Sequence, residues 1–281
     1  MDLSRAKTIL IIAFLILNLF LGHRLWVSPQ ALQAGRALTG EDAEVAREQL
    51  QEAGFEMIVP VPRQIPRLSL LHVSRVPYNE KSWAHSFFGE DVPGVVTESG
   101  SIRYTKGAET VEVAKNGLVT YRSDAGDAMG EDSRQAVERF LKDHRLWHDD
   151  LRFDQIIHRE EQGESRVRYV QTYQGFPLFF SSVDALVIGG VVSEMTIFRV
   201  APLGFSNNEL QVISALDAVT TFLSQEPDFP DKRIADISLG YYSQNYDAER
   251  WEIVPVWRIA ALDGTVFYIN AFTGDAEATG L

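Results

Sequence analysis

Hydrophobic and polar positions divide the chain into one continuous apolar run and several periodic stretches. The apolar run covers residues 8–22 and contains no charged side chain. Beyond it, residues 41–53, 132–146 and 210–223 have the spacing of amphipathic helices. In the third stretch, Val212, Leu216, Val219 and Leu223 form a regular apolar stripe, which predicts a helix packed on a core.

Strand-like alternation fills most of the rest of the chain. Three dipeptides between alternating segments predict hairpin turns: Asn116-Gly117, Gly189-Gly190 and Asp263-Gly264. The proline-rich residues 56–76 predict edge strands or an extended wrapping segment. Residues 77–93 predict an irregular loop that holds Trp83, His85, Phe87 and Phe88.

An internal repeat organises the second half of the chain. The helical pattern Ala136-Val137-x-x-Phe140-Leu141 recurs 82 residues later as Ala218-Val219-x-x-Phe222-Leu223, and strands follow each copy. The predicted fold class is therefore α+β, with repeated modules of one helix packed on an antiparallel sheet behind an N-terminal transmembrane helix. The predicted divisions are an anchor at 1–27, a stalk at 28–40, and three α+β units at 41–125, 126–202 and 203–281.

The first 27 residues have two interpretations, a retained membrane anchor or a cleaved signal peptide. The uncharged run alone is shorter than most membrane spans, but Lys7 and Arg24 can extend their charged ends to the two interfaces. Trp26 occupies the position of an interfacial aromatic residue, and Arg5 adds positive charge before the run. No small-x-small cleavage site follows directly, which favours the anchor. Basic residues before the span then predict a cytoplasmic N-terminus, so that the rest of the chain is extracytoplasmic in the cell membrane.

Composition narrows the possible partners. The formal net charge is −13, and three of the basic residues lie before residue 25, so the remainder is more acidic still. This charge argues against binding nucleic acid or anionic lipid through a basic face. The chain has no cysteine, which removes disulfides and thiolate chemistry.

Patterns of catalytic chemistry are weak in this sequence. His144 and His148 have the i, i+4 spacing of metal ligands, but no glutamate follows His144 to act as a base. We interpret both as solvated groups near a helix C-terminus rather than ligands. Nucleophile elbows and glycine-rich phosphate loops are missing from the sequence. We therefore expect a non-enzyme without catalytic residues, cofactor or metal.

The N-terminal pattern resembles that of the YycI family, through residues 2–9 (DLSRAKTI) and 14–21 (FLILNLFL). The resemblance implies a membrane-anchored regulator of the WalK/WalR (YycG/YycF) two-component system of Gram-positive bacteria. It also implies association with a YycH-like protein and a WalK-type sensor histidine kinase, in part through transmembrane helices. On this interpretation, the small residues and the amide of the span are candidate helix–helix contacts. They are Ala6, Ala13, Asn18 and Gly22.

A second resemblance, to the PepSY-like fold, covers residues 166–200 and 251–275. It rests on a Gln-x-x-x-Gly-Phe-Pro-Leu pattern at residues 171–178 and on residues 255–274. It implies an alternative function as an extracytoplasmic peptidase inhibitor or a peptide-binding module. An anchored hydrolase is a third possibility, and it would require a buried polar cluster in a cleft.

Overall fold

Four α-helices occur in the part of the chain that the structure describes. The computed structural model describes residue 14 and residues 36–76, 80–124, 132–159, 163–244 and 248–280. The helices are α1 (Gly40–Glu52), α2 (Glu80–Phe88), α3 (Ser133–Asp143) and α4 (Ala215–Ser224).

Two predicted helices are confirmed, and each begins at a capping residue. The hydroxyl of Thr39 accepts a hydrogen bond from the Asp42 N–H while the Asp42 carboxylate accepts from Thr39, which forms a capping box at α1. Asp132 caps α3, because its carboxylate accepts hydrogen bonds from two backbone N–H groups of the first turn.

Two helix predictions need correction. Residues 80–88 are not loop but helix α2, with Ala84, Phe87 and Phe88 buried at helical spacing. The third predicted helix starts later than expected, since Ser214 forms a capping box with Asp217 and fixes the start at Ala215. Val212 therefore lies before the helix.

Nineteen strands occur in the described part of the chain. In order they are β1 (Arg36–Ala37), β2 (Glu56–Met57), β3 (Gln64–Ile65), β4 (Arg67–Leu68), β5 (Leu71–Arg75), β6 (Val95–Val96), β7 (Ile102–Lys106), β8 (Glu109–Val113), β9 (Val119–Ser123), β10 (Leu151–Arg159), β11 (Glu164–Tyr173), β12 (Phe176–Ile188), β13 (Val191–Ile197), β14 (Val200–Phe205), β15 (Leu210–Gln211), β16 (Arg233–Tyr242), β17 (Arg250–Ala261), β18 (Val266–Asn270) and β19 (Ala276–Gly280). The fold is thus mixed α+β and consists mostly of sheet.

Fifteen of these strands join one sheet, whose main path runs β14-β5-β17-β16-β12-β13-β9-β8-β7-β6. Strands β10 and β11 extend it beside β12, and β18 and β19 extend it beside β17. Strand neighbours are antiparallel except where β16 meets β12 and β2. The three predicted hairpin turns are confirmed, between β8 and β9, β12 and β13, and β17 and β18.

Two large hydrophobic cores lie along this sheet. The first combines α1, α4 and residues from both ends of the described chain, and the second combines α2 and α3 with residues 104–197. Strand β12 belongs to both, because Leu178 packs in the first core and Val183 in the second. Residues 41–125, predicted as one unit, contribute to both cores, with residues 46–73 in the first and residues 84–121 in the second.

A close backbone approach joins the two halves of the sheet. Strand β12 pairs in parallel with β16 at Leu178 and Tyr241. The neighbouring Gly240 lies so close to β12 that a Cβ there would be 2.6 Å from the carbonyl oxygen of Pro177 and from the ring of Phe179. Glycine at this position therefore allows the two strands to meet.

Candidate functional site

The residues predicted to act in the membrane lie outside the described part of the chain. These are Arg5, Lys7, Ala6, Ala13, Asn18, Gly22, Arg24 and Trp26. Within the residues that the structure describes, none of the helices is long and apolar enough to span a membrane. The roles of these residues stay a prediction.

The histidine pair does not share a helix face. Helix α3 ends at Asp143 and His144 is its C-cap residue, so that His148 lies beyond the helix. The His144 ring is partly buried and stacks on Phe140, with 4.0 Å between ring centroids, whereas His148 is exposed. In the described ranges, no three His, Asp or Glu side chains are grouped to hold a metal ion.

The most distinctive polar feature of the structure is a buried ion cluster between the second and third predicted units. Arg258 of β17 is 7% exposed, and its two terminal nitrogens donate to the Asp154 carboxylate at 2.8 and 2.7 Å. Its Nε donates to Asp236 of β16 at 2.9 Å. The bidentate geometry gives the pair defined direction as well as strength.

Both carboxylates occupy equivalent places in the repeat. Asp154 and Asp236 are separated by the same 82 residues as Ala136 and Ala218, and each lies on the first sheet strand after its helix. Strand β10 shifts register between Phe153 and Gln155, which leaves Asp154 as the extra residue of a β-bulge. Strand β16 has a comparable shift just before Asp236. A bulge changes the direction of a side chain, and here it directs Asp154 to Arg258.

A second arginine extends the cluster. Arg168 of β11 lies opposite Asp184 of β12, and their side chains are 3.2 Å apart. Arg168 also donates to the carbonyl oxygen of Phe179 at 2.8 Å and lies 3.7 Å from Asp154. Each positive charge in the cluster therefore has an acidic partner.

Aromatic rings shield the cluster on one side. The Arg258 guanidinium lies over the Phe179 ring at 4.3 Å, a cation–π contact. The rings of Tyr242 and Tyr268 stack with centroids 4.0 Å apart, and Tyr268 also packs against Phe179. Burial raises the pKa of Tyr268 to about 12.

The charge state of Arg258 is fixed by its partners. Burial lowers the pKa of this guanidinium, but the hydrogen bonds and charge of Asp154 and the charge of Asp236 outweigh it, so that the net shift is upward. The cluster is therefore a permanent ion pair network and not a proton donor.

An open cleft of about 440 Å³ lies beside the cluster, between the outer face of β10–β13 and the β17–β18 hairpin. The hairpin turn rests on β10 at Gly264, which has a φ of 91°. A Cβ at Gly264 would meet the Cδ1 atom of Ile157, so the turn needs glycine for both its backbone angle and its close contact. The cleft is large enough for a small ligand or a short segment of chain.

Sequence reasoning missed this site. One signal was present, because Asp154 and Asp236 follow the 82-residue repeat that the helices revealed. The pairing of Asp154 with Arg258 could not be predicted, since the two residues are 104 positions apart in the sequence.

Together these features define a class of protein: a β-rich α+β protein in which two helix-and-sheet units are joined through a shared strand and a buried ion cluster. The family profile described as YycI protein matches residues 37–272. The chain belongs to the YycI family, which is a family of regulatory proteins and is not known to contain enzymes. This agrees with the N-terminal resemblance, although the matched residues begin after that segment. Among curated proteins, no match was found.

Three solved structures are similar to this chain. YycH from Bacillus subtilis has a TM-score of 0.47 and 12% identity over 73% of this chain, which spans only 53% of the YycH structure. An uncharacterized protein from Eubacterium rectale has a TM-score of 0.44 and 9% identity, covering 80% of this chain and 89% of that one. The C-terminal domain of YpeB from Bacillus megaterium has a TM-score of 0.37 and 16% identity, covering 88% of this chain and 98% of that one.

Proposed function

We propose that this protein is a single-pass membrane regulator of a WalK-type sensor histidine kinase that controls cell-wall metabolism, acting with a YycH-like partner. Membership of the YycI family over residues 37–272 is the observation that supports the proposal. The N-terminal residues anchor the protein, and the folded units act outside the cytoplasm. No catalytic step is part of this function.

In this proposal the span is also a contact surface. Ala6, Ala13 and Gly22 allow another helix to approach closely, and the Asn18 amide forms a hydrogen bond across the helix pair. In the hydrocarbon region an amide side chain is stabilised by such a hydrogen bond, because no water is available there to bind it instead.

Topology can be tested directly because the chain contains no cysteine. Asp2→Cys marks the predicted cytoplasmic end, and Glu98→Cys marks an exposed turn of the folded part. In intact cells, a membrane-impermeant maleimide should label Glu98→Cys and leave Asp2→Cys unlabelled until the cells are opened. Labelling of Asp2→Cys in intact cells, or protection of Glu98→Cys, contradicts the proposed orientation.

The role of the span requires a separate experiment. Residues 1–27 are replaced by an unrelated span of equal length, and kinase-dependent transcription and co-purification of the kinase are measured. We expect both to be lost, whereas Asn18→Leu should weaken both and Ile16→Leu should change neither. Full regulation by the replaced span would show that the folded part acts alone. Recovery of a peptidase in place of a kinase would favour the PepSY-type alternative.

A further inference from the structure

One side of the cleft beside the ion cluster, called its floor below, is formed by a face of the sheet. Its residues come from the face of β10–β13 that is turned away from α3, and strand register places them in rows. In one row Ile157, Arg166, Leu186 and Glu194 lie side by side. Arg166 thus has an apolar side chain on either side of it in this row, and its diagonal neighbour Asp184 is already paired with Arg168.

Three other arginines on this face are paired with acidic residues. Arg168 pairs with Asp184 at 3.2 Å, Arg122 with Glu194 at 3.1 Å, and Arg103 with Glu112 at 2.9 Å. Arg159 and Arg166 differ, since neither side chain has a hydrogen bond or ion pair within the described residues, and both are exposed at the cleft.

The two guanidiniums can reach the same group. Arg166 lies opposite Ile157, and Arg159 lies one step further along the same face of β10, so they are diagonal neighbours. Diagonal residues of an antiparallel pair are about 7–8 Å apart, within reach of long side chains. Glu164 lies directly opposite Arg159, but no hydrogen bond or ion pair joins their side chains in the described structure.

The acids of the cleft are already occupied. Asp154 is held by Arg258, Asp184 by Arg168 and the Ser182 hydroxyl, and Glu194 by Arg122. Asp263 accepts hydrogen bonds from the backbone N–H groups of Asp231 and Thr265. Among the described residues that line the cleft, the two charged side chains without a hydrogen bond or ion pair are therefore both positive.

We propose that this cleft binds a ligand carrying an oxyanion group, phosphate or carboxylate, through the paired guanidiniums of Arg159 and Arg166. The planar guanidinium matches both groups with two parallel hydrogen bonds. Ile157 and Leu186 provide apolar contact for the part of the ligand that follows the anion. This inference does not depend on the proposed regulatory role.

Binding is measured by calorimetry on the full chain in an uncharged detergent at low salt, with tripolyphosphate and citrate as probes. We expect saturable binding of at least one probe, and the preferred probe identifies phosphate or carboxylate as the recognised group. The double variant Arg159→Gln/Arg166→Gln should bind at least about tenfold more weakly, because charge-assisted hydrogen bonds are lost. The control Arg103→Gln removes one positive charge from the same sheet face outside the cleft, where the double variant removes two, and should bind within about twofold of the parent.

A second variant distinguishes binding in the cleft from nonspecific attraction by surface charge. Leu186→Trp fills the floor without changing charge, and it should weaken binding as well. The proposal is overturned if neither probe binds saturably, if the double variant binds like the parent, or if Arg103→Gln loses as much affinity as the double variant. Unchanged binding by Leu186→Trp overturns the assignment to the cleft.

Discussion

At the scale of single residues, the pair formed by Arg258 and Asp154 is the most costly to disturb. Both side chains are more than 90% buried. The positive charge of Arg258 is compensated there by Asp154 and by Asp236. Removing one partner leaves an uncompensated buried charge, whereas removing both with apolar replacements restores packing. The contribution of this site to the free energy of unfolding therefore depends on whether both charged residues, or neither, are present.

We predict that Arg258→Met lowers the free energy of unfolding by about 3–5 kcal/mol. Urea unfolding followed by circular dichroism measures this change. The double variant Arg258→Met/Asp154→Leu should recover most of the loss. As a control, Arg103→Met removes an exposed pair and should cost no more than about 1 kcal/mol. Equal costs for Arg258→Met and Arg103→Met would contradict the prediction.

Tyr268 predicts a dependence of stability on alkaline pH. Burial raises its pKa from 10.0 to about 12, so the folded state holds its proton where the unfolded state releases it. The resulting stabilisation is complete below pH 10 and disappears as pH rises towards 12. Tyr268→Phe should therefore lose less stability than the parent between pH 10 and 12, by up to roughly 3 kcal/mol. Parallel pH profiles for the two proteins would show that Tyr268 does not contribute.

Residue-scale features were predicted well where their causes are local. The hairpin turn at Asn116-Gly117 was predicted because it depends on residues within four positions of each other. The role of Asp154 depends on a β-bulge and on a partner from another unit, and the nearby sequence contains no pattern that predicts either.

At the scale of elements, helix α2 was missed although its pattern was present. Trp83, Ala84, Phe87 and Phe88 have the i, i+3, i+4 spacing of a buried face, but the flanking prolines at 77 and 93 suggested a loop. Helix α4 was extended too far, because Val212 fits the apolar stripe yet packs in the core from a position before the Ser214 cap. Hydrophobic periodicity alone does not distinguish a helical residue from a residue of the preceding segment whose side chain packs in the same core.

Gly240 gives a prediction for the junction of β12 and β16. Gly240→Ala places a Cβ 2.6 Å from the backbone oxygen of Pro177, which cannot move aside as a flexible side chain would. We expect a loss of about 1–3 kcal/mol in the free energy of unfolding, as in other overpacked sites.

Gly40→Ala is the matched control for this junction. Gly40 begins helix α1, and the nearest atom to an added Cβ is 3.9 Å away. The same substitution should there stabilise by about 0.4–1 kcal/mol, because it restricts the unfolded chain without a clash. The two variants are thus predicted to have opposite signs in the same unfolding assay, and equal signs would contradict the account of the junction.

At the scale of the whole molecule, β12 makes the two cores one cooperative structure. Leu141→Ala removes side-chain volume from the second core alone, and we expect a loss of about 2–5 kcal/mol. In single-tryptophan variants, Trp257 reports on the first core and Trp147 on the second. Both transitions should shift to the same lower urea concentration, while Glu48→Ala on the exposed face of α1 should shift neither. A shift of the Trp147 transition alone would show that the cores unfold separately.

The global arrangement was the part least accessible from sequence. The α+β character followed from the pattern of helices and strands, and the repeat followed from the matching helices. Pairing of β5 with β17 and of β2 with β16 joins segments that are more than 170 residues apart, and periodicity contains no information about such partners. The predicted unit boundaries therefore remain a prediction, while the cores show which segments pack together.

The composition of the first core has a consequence for biosynthesis. Leu50, Leu68 and Leu71 belong to the same core as Trp257 and Ile269. The first residues of this core to leave the ribosome therefore cannot pack until some of the last residues have been synthesised. At about 5–20 residues per second, the 200 residues between them require on the order of 10–40 seconds. All residues of the second core, which lie between 84 and 197, are synthesised before that interval ends. Until then Leu50, Leu68 and Leu71 lack these packing partners, and they form the apolar surface that a chaperone would be expected to protect.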